Sequence, residues 1–188
     1  MIVPSMTRDF HGAELGLDDF VADSPMPPVV PGAAQGATPA FIDGITATPL
    51  VLNSYEHGWL TELLTTRDGP IEPIVHVYQV GAAPGSIRAW VYHRHQFDRL
   101  AFTTGRFEIA CYDLRPGSRT ANRLNLFELG AHKPCLLRIP PYVVHGVRNA
   151  SAEWATFINM STKVYDRNAP DKSRLPYGDA RIPYAFDA

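Results

Sequence analysis

Short runs of alternating apolar and polar residues, separated by turns, make up most of the chain from about residue 48 onward. β-Branched and aromatic residues fill these runs, and breaks rich in Pro and Gly, such as 68–70 and 83–86, separate them. Because no amphipathic helical pattern lies between the runs, they predict an all-β sandwich or barrel. The predicted strands are 49–52, 59–64, 74–80, 87–95, 100–104, 107–114, 135–139, 143–147 and 154–160.

The first 47 residues have a different pattern. Residues 24–32 are rich in proline, which removes backbone donors and fixes φ, so neither a regular helix nor a central strand is expected there. We expect residues 1–47 to form an extended arm that is either disordered or held against a partner subunit. Residues 48–188 are then one domain, a size that a single hydrophobic core commonly serves.

Composition narrows the function classes. A net charge of −2 and a pI near 6.4 give no electrostatic footprint for nucleic acid or an anionic membrane. The two cysteines, Cys111 and Cys135, lie in apolar runs and are expected to be buried and unpaired, which fits a reducing cytoplasm. Charged residues interrupt the N-terminal region before any apolar run, and no long apolar stretch follows, so we expect a soluble cytoplasmic protein without a signal peptide.

Three histidines mark the predicted pocket. Alternation along residues 87–95 places His93 and His95 on one face of a strand, and His145 lies in the later run 143–147. A strand face that begins apolar and ends in histidines is typical of a barrel interior that opens into a pocket. That face comprises Ile87, Ala89, Val91, His93 and His95, whereas Arg88, Trp90, Tyr92 and Arg94 point the other way.

These segments resemble the two signature motifs of the cupin superfamily, which implies a jelly-roll barrel. The first is the His93-x-His95 pair with the later Gly105, and the second is Pro140-Pro141 followed by His145 and Asn149. In metal-binding cupins a glutamate after the first motif completes the ligand set. We assign that position to Arg99 or Leu100, and a cation at Arg99 opposes metal binding. We therefore expect no cofactor; the alternative is a metal held by His93, His95 and His145.

A closer resemblance covers residues 49–186. The segments 56–62, 85–90, 112–118 and 139–146, together with the tail 168–184, are similar to the motifs of the dTDP-4-dehydrorhamnose 3,5-epimerase family and its sugar-nucleotide 3,4-ketoisomerase relatives. These enzymes are metal-free cupins and usually homodimers. The resemblance implies an isomerase or epimerase in carbohydrate biosynthesis that removes a proton next to the ketone of a nucleotide-linked 4-keto-6-deoxy sugar.

The same resemblance implies the site residues. The family's catalytic histidine falls at Val91, so the expected base is His93 on the same face, with His145 bonding the substrate or tuning the base. Arg99 replaces the lysine that supports the enolate, with His95 nearby, and Asp179 matches the aspartate that pairs with a histidine. Residues expected to bind the substrate are Arg88, which suits the diphosphate, and Tyr78, His95, Gln96, Asn159 and Tyr165.

The sequence is also compatible with two other functions. A metal-dependent small-molecule enzyme would use the three histidines as ligands, and a sugar- or nucleotide-binding cupin without catalysis would fit Val91 in the base position. An outer barrel face carrying Trp90 and Tyr92 is expected to pack against a second copy, which favours the homodimer.

Overall fold

The computed structural model describes residues 41–67 and 69–186, and all regular secondary structure in these ranges is β-strand. The all-β prediction is thereby confirmed. No helix in the described ranges is long and apolar enough to cross a membrane. The strands are β1 (Thr46–Pro49), β2 (Asn53–Tyr55), β3 (Gly58–Leu60), β4 (His76–Ala82), β5 (Ile87–His93), β6 (Asp98–Phe102), β7 (Arg106–Asp113), β8 (Leu124–Gly130), β9 (Cys135–Ile139), β10 (Val143–Asn149), β11 (Ala155–Ser161) and β12 (Lys172–Arg174).

Two five-stranded antiparallel sheets carry the fold. One has the strand order β1-β9-β6-β11-β4 and the other β12-β5-β10-β7-β8, while β2 and β3 form a separate hairpin. Most neighbours in each sheet are distant in sequence, as in a Greek-key or jelly-roll arrangement rather than a meander.

The main hydrophobic core contains residues from both sheets. Phe102, Phe107 and Phe157 meet there with ring centroids 5.0–5.5 Å apart. Ile42 and Ile45 are buried in the same core, and β1 pairs with β9. The domain therefore includes residues 41–47, which the sequence assigned to the arm; residues 1–40 of that predicted arm lie outside the described residues.

The C-terminal segment covers the outer face of the second sheet. Trp90 is fully buried and stacks on Phe186 with ring centroids 5.6 Å apart, beside Ile182 and Tyr184. The expectation that Trp90 packs against a second copy is wrong, because the chain's own tail occupies that face. Trp90 thus gives no support to the predicted homodimer.

A β-bulge in β5 changes which residues face inward. Val147 pairs with Arg88, whereas His145 pairs with Val91, so three residues of β5 advance against two of β10. Because of the extra residue, Arg88 faces the inside of the barrel together with Val91 and His93. Ala89 packs beside Trp90 in the hydrophobic cluster on the outer face of the sheet. The prediction that Ile87 and Ala89 share the histidine face is wrong, since simple alternation does not survive a bulge.

Candidate active site

Two adjoining cavities lie beside the ends of β5, β6 and β10. The deeper one is bordered by Arg88, His93, Asp98 and His145 together with apolar side chains of both sheets. The wider one has a volume of about 400 Å³, within the usual range for small-molecule sites. Tyr78, His93 and Lys172 border both cavities, so they lie where the two adjoin.

Asp98 lies between the two buried histidines. Its Oδ2 is 3.3 Å from Nε2 of His93 and 3.2 Å from Nε2 of His145. The three residues are between 4% and 7% exposed, so the contacts are shielded from bulk water. Burial alone would raise the pKa of Asp98, but hydrogen bonds from His145 and His93 hold it well below its ordinary value. Asp98 is therefore a buried carboxylate at neutral pH.

Backbone carbonyls fix the orientation of both rings. Nδ1 of His93 lies 3.0 Å from the carbonyl oxygen of Asp171, and Nδ1 of His145 lies 3.1 Å from that of Val143. Since a carbonyl only accepts, each Nδ1 carries a proton, and Nε2 is the nitrogen that gains or loses one. Both Nε2 atoms face Asp98 beside the cavity. The arrangement can take up a proton at Nε2 and hold it by a hydrogen bond to the carboxylate.

Amide and phenol groups complete the environment of Asp98. Gln96 Nε2 and Asn159 Nδ2 donate to Oδ1 of Asp98 at 2.5 and 2.9 Å, and Asn159 Nδ2 also donates to the Tyr78 hydroxyl at 2.8 Å. Burial, with the nearby charge of Asp98, raises the pKa of Tyr78. Tyr78 therefore stays a neutral phenol and can serve as a proton donor.

Asp171 shapes the turn that follows β5. Its carboxylate accepts hydrogen bonds from the backbone N–H groups of Arg94, His95 and Gln96 at 3.2, 3.1 and 2.8 Å. These bonds draw the turn outward from the strand and leave His95 exposed and outside both cavities. The expectation that His95 joins His93 on one face is wrong, because β5 ends at His93.

Arg99 is also placed differently from the expectation. Its guanidinium donates to the carbonyl oxygens of Met160, Glu72 and Pro73 at 2.7–2.9 Å, and it borders neither cavity. Alternation along β6 sends Asp98 toward the cavity and Arg99 to the other face. Arg99 therefore faces away from both cavities, and the acidic side chain of β6 that borders the deep cavity is Asp98.

Asp179 is engaged with a neighbour of its own segment. Its carboxylate accepts two hydrogen bonds from the Arg181 guanidinium at 2.6 and 2.8 Å, and Asp179 borders neither cavity. The expected pairing of Asp179 with a histidine is wrong for this reason. Asp98 and two backbone carbonyls orient the histidines instead.

Four cationic side chains of the described residues border the cavities. Arg88 and Arg174 border the deep cavity, Arg167 borders the wide one, and Lys172 borders both. Within residues 41–67 and 69–186 these four side chains form no hydrogen bond or ion pair, unlike Arg99, each of whose three side-chain nitrogens donates to a backbone carbonyl. A concentration of unpaired positive charge around a pocket favours an anionic ligand.

Most of the predicted substrate-binding residues border the cavities. Tyr78, Arg88 and Asn159 border the deep cavity, and Gln96 and Tyr165 border the wide one. Among the charged residues that border the cavities, the sequence did not indicate Asp98, Arg167, Lys172 and Arg174. Counting alternate positions back from the core residues of β6 would have found Asp98, whereas no sequence pattern indicates β12.

Comparison with known proteins agrees with the fold and the sequence resemblance. No protein-family model matches the chain. The spore coat polysaccharide biosynthesis protein SpsL of Bacillus subtilis is 32% identical over 147 residues, which cover 78% of this chain and 97% of SpsL. The probable low-salt glycan biosynthesis epimerase Agl13 of Haloferax volcanii is 34% identical over 141 residues, 72% of this chain and 88% of Agl13.

A solved structure shows the same fold. The dTDP-4-dehydrorhamnose 3,5-epimerase from Elizabethkingia anophelis matches with a TM-score of 0.67 and 18% identity, over 81% of this chain and 85% of that one. The two sheets are thus those of a cupin jelly roll, as predicted. With this fold and relatives more than 30% identical over most of its length, the chain belongs to the dTDP-4-dehydrorhamnose 3,5-epimerase-like family of cupins.

Proposed function

We propose that the chain epimerises or isomerises a nucleotide-linked 4-keto-6-deoxy sugar by proton abstraction next to the ketone. The observation that carries the proposal is the His93–Asp98–His145 cluster, in which two oriented imidazoles share one buried carboxylate at the edge of the cavity. Membership of a family that includes dTDP-4-dehydrorhamnose 3,5-epimerases supports the substrate class.

His93 is the base in this proposal. The step requires neutral His93, with its proton on Nδ1 and Nε2 unprotonated, so that only His145 donates to Asp98 before the reaction. Nε2 of His93 then takes the proton from the carbon beside the ketone, and the new N–H donates to Asp98, which stabilises the imidazolium. His93 borders both cavities, whereas His145 borders only the deep one, so His93 is better placed to meet the substrate. His145 shares Asp98 and thereby adjusts how strongly the carboxylate supports His93.

Tyr78 returns the proton. Its hydroxyl accepts a hydrogen bond from Asn159, and its raised pKa keeps the phenol protonated. Reprotonation from the side opposite the base would invert the carbon, while return by the same group would not.

Guanidinium groups bind the diphosphate. Arg88 and Arg174 border the deep cavity and Arg167 the wide one, and a planar guanidinium matches two phosphate oxygens at once. The homodimer and the cytoplasmic location that the sequence predicts belong to this proposal as well. Light scattering on the purified protein tests the dimer.

The experiment compares two histidine variants. With dTDP-4-keto-6-deoxyglucose in D₂O, NMR follows deuterium uptake at the carbons beside the ketone. His93→Ala should lower the exchange at least 10²-fold, the usual contribution of a general base, while exposed His95→Ala should exchange at the wild-type rate. Full exchange by His93→Ala would exclude His93 as the base. Binding of dTDP without exchange in the wild type would favour the reading of a non-catalytic sugar-nucleotide binder.

A metal-dependent enzyme is the second candidate, with a changed ligand set. His93, Asp98 and His145 bring their ligand atoms within 4.8 Å of one another, and ligating histidines usually donate Nδ1–H to a carbonyl, as both do here. His95 does not belong to this set. Elemental analysis and exchange after chelation separate the candidates, because stoichiometric metal and loss of exchange on chelation would replace the metal-free mechanism.

A further inference from the structure

An enolate forming in the cavity needs a positive group at its oxygen. Removal of the proton moves the C–H electron pair into a new C=C bond and the C=O π pair onto the ketone oxygen. The residue that the sequence assigned to this oxygen, Arg99, has its donors engaged by three backbone carbonyls on the other face of β6. The cation must therefore come from elsewhere in the cavity wall.

Lys172 has the position that such a cation requires. In the ladder between β5 and β12 it pairs directly with His93, and paired residues of neighbouring strands project their side chains to the same face. Both residues border both cavities. A group beside the base reaches the oxygen that lies one carbon away from the atom that loses its proton.

The Lys172 side chain is partly buried, near charges of both signs. Within the described ranges its ammonium group makes no hydrogen bond or ion pair, although it is held near Arg174 and Arg88. Desolvation, with these like charges, lowers the pKa of Lys172 more than the attraction of Asp98 raises it. Leaving a partly buried ammonium unpaired is costly, and a substrate anion offsets that cost.

The other cations of the cavities suit a different task. Arg88, Arg167 and Arg174 present planar forks that match diphosphate oxygens, whereas an ammonium is a compact charge that suits a single oxygen. Tyr78 is a neutral phenol on β4 whose hydroxyl accepts a hydrogen bond from Asn159, and β4 is not part of the β5–β12 ladder. Lys172 is thus the ammonium group that borders both cavities beside the base.

From this geometry we infer that Lys172 is a catalytic residue whose ammonium donates a hydrogen bond to the C4 oxygen of the substrate and stabilises the enolate formed by His93. The inference rests on the proposed function. The positive charge at the enolate oxygen thus comes from β12, a short strand in the C-terminal tail. When the carbon is reprotonated, the electron pair returns to the carbonyl and Lys172 keeps its proton, so the step needs no further reactant.

The test separates this role from diphosphate binding. Lys172→Met should lower deuterium exchange at saturating dTDP-4-keto-6-deoxyglucose by about 10²–10³-fold, the usual effect of losing one oxyanion donor. Its Kd for dTDP, which has no ketone, should stay within threefold of the wild type, a limit of about 0.7 kcal/mol. Arg174→Met should show the reverse pattern. Lys163→Met, an exposed lysine outside both cavities, is the matched control and should leave both quantities unchanged.

A second measurement guards against a purely structural effect. In Lys172→Ala, added alkylammonium should restore exchange in proportion to its concentration, a response that a packing role would not give. Exchange by Lys172→Met near the wild-type rate, or a loss confined to dTDP affinity, would overturn the assignment while leaving the proposed function intact. Absence of exchange in the wild type would instead refute the proposed function itself.

Discussion

Replacing Asp98 by Asn tests the buried cluster with the smallest change in shape. The substitution removes the negative charge that lies 3.3 Å from Nε2 of His93 and 3.2 Å from Nε2 of His145. Each hydrogen bond to a charged group contributes roughly 1.5–3 kcal/mol, and breaking a buried pair costs about 3–5 kcal/mol. We expect Asp98→Asn to lower the free energy of unfolding by about 3 kcal/mol at pH 7, which is about 6–12 °C in Tm for a chain of this size.

The effect should depend on pH in a defined direction. The pKa of Asp98 is lower in the folded protein than in the unfolded chain, so its stabilising contribution is complete above the unfolded value near 4 and is lost as the pH falls through the folded value. The difference in Tm between the wild type and Asp98→Asn should therefore be full at pH 7 and shrink only below about pH 4.

The assay is thermal unfolding followed by circular dichroism across this pH range. Asp179→Asn is the control, because Asp179 pairs with Arg181 at the surface and borders neither cavity. It should melt close to the wild type. A Tm for Asp98→Asn within about 2 °C of the wild type at pH 7, less than roughly 1 kcal/mol, would refute the view that the carboxylate holds the two histidines.

Three further substitutions have expected outcomes. Arg99→Met should lower the free energy of unfolding by about 3 kcal/mol in denaturant titrations, because three backbone carbonyls lose their donor. The rate of deuterium exchange per folded molecule should stay the same, and a loss of that rate would restore Arg99 to the mechanism. Gly146→Ala should lower the free energy of unfolding by roughly 1–3 kcal/mol in the same titration, since the added Cβ would lie 2.6 Å from Ala89 Cβ and 3.0 Å from the Trp90 ring. Unchanged stability would contradict the close packing of β10 on β5. Asp179→Asn should exchange deuterium at the wild-type rate, and a large loss would return Asp179 to the site.

Strands with strong alternation could be predicted from the sequence. β9 has the predicted bounds at both ends, and β4, β5, β6, β7, β10 and β11 lie within a few residues of the predicted runs. β12 could not be predicted, because three residues carry no periodicity and the strand exists through its pairing with β5. β8 was also missed, although it pairs with β7 along its whole length.

Only part of the site could be predicted from the sequence, because some of its features depend on pairing between strands that are distant in the chain. Motif resemblance located His93 and His145, which are held by neighbouring strands of one sheet. It did not locate Asp98, because an uncertain loop length shifted the assignment by one or two residues, to Arg99 or Leu100. A shift of one residue along a strand exchanges the inner and outer faces. The inward position of Arg88 depends on a bulge between β5 and β10, a long-range feature that a local pattern does not encode.

Deuterium uptake by the wild-type protein tests the central claim most directly. NMR of dTDP-4-keto-6-deoxyglucose incubated with the metal-free protein in D₂O should show loss of the proton signal at a carbon beside the ketone, with a catalytic amount of protein exchanging many equivalents of substrate. Retention of both adjacent proton signals, under conditions where the protein binds the nucleotide sugar, would contradict the account that the His93–Asp98–His145 cluster removes a proton.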